Sequence, residues 1–199
     1  MKKLITLAFI AILASTFSTV KAQDKPLGKN EISAGYGILS YPEMFDEFSG
    51  FWSNVFGSDS IKSVTGPNYG TLSFGYQRTL GKVISLGVTA SINPILSNLV
   101  YKKGTTGTSA EMAFSLMPKM EITYVQHGVF AAYSAIAVGV SYLTRKVNND
   151  NGTTESGTLW RVGYQVSLVG LRVGKNVGGF LELGFGYQGI CRLGLSAKL

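Results

Sequence analysis

Taken every second residue, the stretch Ala110–Tyr124 falls into two sets. Ala110, Met112, Phe114, Leu116, Pro118, Met120, Ile122 and Tyr124 carry no charge. Glu111, Ala113, Ser115, Met117, Lys119, Glu121 and Thr123 are small, polar or charged apart from Met117. A period of two sustained over this length predicts a β-strand with one apolar and one polar face. Such a strand is longer than the average of about five or six residues and long enough for the roughly nine to eleven that an oblique bilayer crossing needs. Pro118 sits in its middle without an N–H to offer a neighbour, a position usually tied to a bulge; the alternation nevertheless runs through it unbroken.

The same period recurs along the chain. Ile32, Ala34, Tyr36 and Ile38 oppose Glu31, Ser33, Gly35 and Gly37; Leu72, Phe74 and Tyr76 oppose Thr71, Ser73, Gly75 and Gln77. Similar pairs of sets follow from Ile84, Phe130, Trp160, Leu181 and Cys191 onward, giving eight predicted strands. Their connections alternate in length. Residues 39–67, 93–109 and 145–157 are long; residues 80–82, 125–128 and 173–178 are short; a tight turn stands at Gln188-Gly189. In an up-and-down meander the three long connections share one end and both termini lie at the other. Within the first connection the period changes. Ser40 and Glu43 form a capping box, and Met44, Phe45, Phe48, Phe51, Trp52, Val55 and Phe56 follow at helical spacing, which predicts a short amphipathic helix over 42–56.

The two-faced pattern fits a water-soluble barrel or sandwich with the apolar face inward, or a membrane barrel with the apolar face outward. Three features favour the second. The polar face holds many of the smallest residues, among them Gly35, Gly75, Gly87, Gly139, Gly163, Gly184 and Gly194, as a narrow eight-stranded interior requires. Aromatic residues of the apolar face sort into two levels, Tyr36, Tyr142, Trp160 and Tyr187 at the long-connection end and Tyr76, Tyr124 and Phe130 at the other, as girdles at two membrane interfaces would. No charge falls on the apolar face within a strand; Arg78 and Arg172 share its parity but sit at strand ends, where they can snorkel. The expected fold is therefore an all-β, eight-stranded antiparallel up-and-down transmembrane β-barrel with a short helix in the first long loop.

Composition adds an address. Lys2 and Lys3, the apolar run Leu4–Ala14 and the small-residue site Val20-Lys21-Ala22 read as a signal peptide over 1–22, leaving 23–199 as the barrel domain. Without Lys2, Lys3 and Lys21 the 18 basic residues become 15 against 11 acidic ones, and the net charge falls from +7 to +4, too little to argue for nucleic acid. Cys191 is the single cysteine, so no internal disulfide forms despite export. No later segment is apolar over some eighteen residues, which excludes helical spans.

With its last strand ending on Arg192, Gly194, Ala197 and Leu199, the chain resembles, over essentially its whole exported length, the small eight-stranded outer-membrane barrels of the OmpA/OmpX type. It departs from them in ending on Leu199 where an aromatic is usual. The resemblance implies a place in the outer membrane of a Gram-negative envelope, long loops extracellular and both termini periplasmic. It implies outer-membrane lipid and lipopolysaccharide as surroundings, and the barrel-assembly machinery as a partner of the C-terminal strand.

Candidate chemistry is sparse. The letters of Gly184–Gly189 match GxGxxG, but no helix or acidic residue follows as a dinucleotide site requires. His127 is expected in a short turn and Cys191 at the opposite end of the barrel, so they do not form a nucleophile–base pair. No spacing suits zinc, and no cofactor is implied. The specific feature is inward charge: Glu111, Arg161 and Arg192 higher, Glu31, Lys119, Glu121, Glu182 and Lys198 lower. These form either a charged pore or small-ligand site, or a network of ion pairs filling the lumen, and a filled lumen is the usual state at eight strands. The expectation is a non-enzymatic protein with a structural or surface-interaction role carried by its loops; the alternative is a narrow, porin-like pore or a small-ligand-binding barrel.

Overall fold

The computed structural model describes residues 30–41, 61–65, 69–81, 83–101, 106–149 and 154–199. The signal sequence and the helix expected over 42–56 lie outside them. Nine strands are present among the described residues: β1 (Asn30–Ile38), β2 (Ile61–Thr65), β3 (Thr71–Thr79), β4 (Ile84–Tyr101), β5 (Thr106–His127), β6 (Phe130–Asn149), β7 (Thr154–Gly174), β8 (Val177–Gly186) and β9 (Cys191–Lys198). Every pairing is antiparallel. From β3 onward each strand neighbours the next in sequence, β1 pairs β9, and β1 pairs β3, so eight strands close into an up-and-down barrel. β2 is the addition. It pairs Asn98–Tyr101 of β4, above the point where β3 leaves that strand at Ile92, and so prolongs the line of β3.

The closed wall is inverted relative to a soluble fold. Large apolar side chains stand exposed on its outside, including Phe74, Leu116, Val138, Trp160, Val162 and Leu195, while the buried positions are dominated by Ser, Thr, Asn, Gln, Glu and Arg. Alternation along each strand produces this because successive side chains point to opposite faces.

The long connections differ from expectation. Residues 93–109 and 145–157 are mostly strand: β4 runs on to Tyr101, β5 begins at Thr106, β6 runs on to Asn149 and β7 begins at Thr154. Alternation of apolar with polar residues marks strand only where one face meets an apolar medium. The extensions of β5, β6 and β7 are largely polar on both faces, and that of β4 has apolar Ile95 inside and Leu96 outside, so none of them alternates and they look like loop in sequence. Pro94 did not end β4 because, on its β3 side, it falls between the last β3 pair at Ile92 and the first β2 pair at Asn98, where no ladder asks for an N–H. Four long strands, flanked by β2, thus form a wall that rises above the short side made by β8, β9 and β1.

Pro118 is accommodated without a bulge. The β5–β6 ladder runs to Leu116↔Val140, omits Met117 and Pro118, and resumes at Lys119↔Ala137 in the same register. Opposite the gap stands Gly139, where a Cβ would lie 2.2 Å from the Leu116 carbonyl oxygen. The strands approach closely at the one place where a ladder bond is missing.

The register also slips between Thr123 and Val125 of β5 against β6; two other places break the simple alternation and move a side chain from the outside to the inside. Between Ser167 and Gly170, β7 carries one residue more than its neighbours on either side, a β-bulge at Leu168-Val169. Both bulge residues face outward and the Ser134 hydroxyl donates to the Leu168 carbonyl at 2.5 Å. Below the bulge the parity is reversed, so Arg172 is not a snorkelling residue on the apolar face: it is 4% exposed, inside the barrel. At the other end Gly186 (φ 136) turns the chain, and Tyr187 folds inward to 3% exposure rather than joining the outer aromatics.

Candidate functional site

The lumen is built in layers from the inward residues of every strand. At mid-depth Glu182 is the best-coordinated group. Its Oε1 accepts from Tyr133 Oη at 2.9 Å and from Arg192 Nη2 at 2.7 Å, and its Oε2 from Ser167 Oγ at 2.6 Å. Lys119 Nζ lies 3.6 Å from Glu182 and 3.4 Å from Glu121, tying the two carboxylates together. Glu121 also accepts from Gln77 Nε2 at 2.9 Å. Arg172 Nη2 stands 2.5 Å from Glu31 and 3.7 Å from Glu121. Three carboxylates thus face three cations, all with side chains exposed 10% or less, so the layer is neutral as a whole. Aromatic faces complete it. The guanidinium of Arg172 lies 5.1 Å from the Tyr133 ring centre, and that of Arg192 lies 5.0 Å from the Phe180 ring centre. Gly170 makes room for Tyr133, since a Cβ there would come within 2.4 Å of the ring.

Above this layer the turn between β8 and β9 folds into the barrel instead of away from it. Gln188, 2% exposed, donates from Nε2 to Thr89 Oγ1 on the opposite wall at 2.6 Å, and its Oε1 accepts from Arg192 Nη1 at 2.5 Å. Gln165 holds the turn from the side, accepting the Gln188 N–H at 2.8 Å and donating to the Gly189 carbonyl at 3.1 Å.

The mouth is closed by the start of the first long connection. Leu39 takes a left-handed conformation (φ 55) that turns the chain after β1, and Ser40 is then fully buried. Asn93 Nδ2 donates to the Ser40 hydroxyl and to Thr71 Oγ1. Tyr41 lies 5.5 Å from the rings of both Tyr164 and Tyr187, and these pack around Met117 and Ala137.

Of the eight inward charges read from sequence, Glu31, Lys119, Glu121, Glu182 and Arg192 come together in the buried layer. Glu111 stands higher on the wall, paired with Arg145 at 2.8 Å. Arg161 is exposed at that level and Lys198 is half-buried near the C-terminus. Tyr133, Gln77 and Gln188 belong to the network without having been expected there, and Arg172 belongs to it although its sequence parity is that of the apolar face. Among the aromatic positions, Tyr36, Tyr76, Phe130 and Trp160 are exposed on the outside, with Tyr142 stacked on Trp160 at 4.8 Å and Tyr124 half-buried. Tyr187 alone is interior. His127 ends β5 at the short-turn end and Cys191 begins β9 at the opposite end. Among the described residues no cluster of three or more His, Cys, Asp or Glu side chains is placed to hold a metal ion.

No family model matches the chain, and no curated protein does. Among solved structures it is similar to the crystal structure of Ail, the attachment invasion locus protein of Yersinia pestis, at 14% identity over 87% of this chain and 96% of that one, with a TM-score of 0.41.

Proposed function

We propose that the protein is an integral outer-membrane barrel with a sealed lumen, whose raised wall serves as a non-catalytic surface for interaction outside the cell. Its insertion in lipid is supported by the band of exposed apolar side chains around the closed wall, an arrangement unstable in water and suited to a bilayer. Orientation follows from the unequal ends: the short-turn end and both termini face the periplasm, and the wall faces outward. The address implies the barrel-assembly machinery as the partner that receives β9.

The observation that carries the interaction role is the height of β4–β7. β5 spans 22 residues and β7 spans 21, about twice what a tilted crossing needs. Above Tyr164, whose carbonyl accepts from the Tyr187 N–H at 2.9 Å, β7 pairs with no strand on its β8 side among the described residues, which leaves residues 154–163 as an open edge. An open edge accepts an extended segment by strand addition, so the role lies in a sheet rather than in loops. A narrow pore is the competing reading, and the neutral, aromatic-lined charge layer argues against it. Planar-bilayer recordings from the purified protein test this directly: a silent bilayer is expected, and a steady unitary conductance would replace the scaffold reading by the pore.

A further inference from the structure

The outward residues of β5, β6 and β7 form horizontal rows, because Phe114, Tyr142 and Trp160 are register partners, then Met112, Thr144 and Thr158, then Ala110, Lys146 and Ser156. Successive rows are about 7 Å apart along the strand. The first row is aromatic, the second mixed, the third polar and cationic. Over these rows the wall passes from hydrocarbon to headgroup. At the upper two rows an open cleft of about 480 Å³ is lined by Ala110 and by residues 156–158 and 144–146, Arg145 included.

The chemistry of the cleft is one-sided. Its only outward charge is the Lys146 ammonium, which no ion pair holds among the described residues, whereas Arg145 is engaged by Glu111 on the inner face. The register sets Ser156 beside Lys146 on one side and the small Ala110 on the other, with Thr158 one row below, and all of them line the cleft. Thr144 spends its hydroxyl hydrogen on the Met112 carbonyl at 3.4 Å, so the donors of the cleft are Lys146, Ser156 and Thr158. An ammonium with several hydroxyls around a cleft is an acceptor-seeking set, matched by a phosphate group with three oxygens. The Tyr142–Trp160 pair directly below fixes the depth at the lipid headgroup level.

We infer that this cleft binds the phosphate of an anionic outer-leaflet lipid, with Lys146 as the charge partner, Ser156 and Thr158 as hydroxyl partners, and Trp160 against the first acyl segments. The inference rests on the membrane reading above.

The test uses Trp160 as the reporter. The protein carries two tryptophans, so Trp52→Phe leaves Trp160 alone. This variant is refolded into phosphatidylcholine vesicles containing either dibrominated phosphatidic acid or dibrominated phosphatidylcholine as quencher. The expected result is a relative association constant about fivefold higher for the phosphatidic acid, the size of one interfacial cation–anion contact. Lys146→Gln brings the ratio to about one, and Lys146→Arg preserves it. Millimolar inorganic phosphate that abolishes the preference means the phosphate group suffices; a preference that survives means the lipid is the required carrier. Equal quenching by both lipids, or a ratio indifferent to Lys146→Gln, overturns the site. Quenching by neither lipid is a different failure, and overturns the membrane reading itself.

Discussion

Glu182 and Glu111 are both inward carboxylates paired with an arginine, yet their surroundings assign them opposite weights. Glu182 is 3% exposed and coordinated by Tyr133, Ser167, Arg192 and Lys119. Removing it leaves Arg192 buried without its anion and Lys119 with Glu121 alone, a loss of about 3–5 kcal/mol. Glu111 meets an Arg145 side chain that is 49% exposed, and pairs screened in that way contribute about 1 kcal/mol or less. Glu182→Ala is therefore expected to lower the urea midpoint of the protein refolded in lipid vesicles sharply, and Glu111→Ala to leave it nearly unchanged. Replacing both members of the pair, Glu182→Leu with Arg192→Met, should recover much of the loss. An equal response of the two single variants would show that the lumen is hydrated enough to screen both pairs. Sequence reading reached both glutamates through their parity but offered no way to rank them, since the rank depends on which other strands deliver side chains to the same depth.

At the scale of the strand, the alternation specified most of the barrel. It located all eight barrel strands, their order and the face each presents, because an apolar medium outside and a small interior leave period two as the only workable pattern. It failed where that medium ends and where the period slips. The upper parts of β5–β7 are hidden because both their faces are largely polar, that of β4 because Ile95 and Leu96 put apolar residues on both faces, and β2 for lack of any lipid-facing run. The slip on β7 does have a signature: Ser167-Leu168-Val169-Gly170 places two apolar residues side by side between two small ones. Read as a bulge, it carries Arg172 into the lumen; read as regular strand, it leaves a guanidinium on the outer face at the strand end, where the cost is about 0–1 kcal/mol. This leads to a contrasting pair of deletions. Removing Val169 restores regular pairing with Gly170 and Arg172 still inside, so heat-dependent gel mobility and folding yield should persist. Removing Leu171 either turns Arg172 outward or brings Val169 under the Tyr133 ring in place of Gly170, so the heat-modifiable form should be lost. If both deletions fold alike, the bulge does not set the position of Arg172.

For the whole molecule, what matters is that the lumen is closed at successive depths by different chemistry. The mouth is closed by Tyr41, Tyr164 and Tyr187; below it the inward turn spans the barrel through Gln188 to Thr89; below that the three-to-three charge layer packs on Tyr133 and Phe180. Barriers in series mean that an ion path opens only when all are breached along one line. Gln188→Ala removes the link to Thr89 and a partner of Arg192, but the guanidinium keeps its 2.7 Å contact with Glu182, so the charge layer stays shut. Tyr133→Ala opens space beside Arg172 and Lys119, but leaves the turn and the aromatic mouth above it. Each single variant is thus expected to remain silent in planar bilayers, whereas Gln188→Ala and Tyr133→Ala combined with Tyr187→Ala should conduct. The path then exposed is lined by both signs of charge, so it should discriminate weakly between small cations and anions. Conductance from Gln188→Ala alone would mean that the inward turn is the sole seal, and that the charge layer beneath it admits ions as it stands.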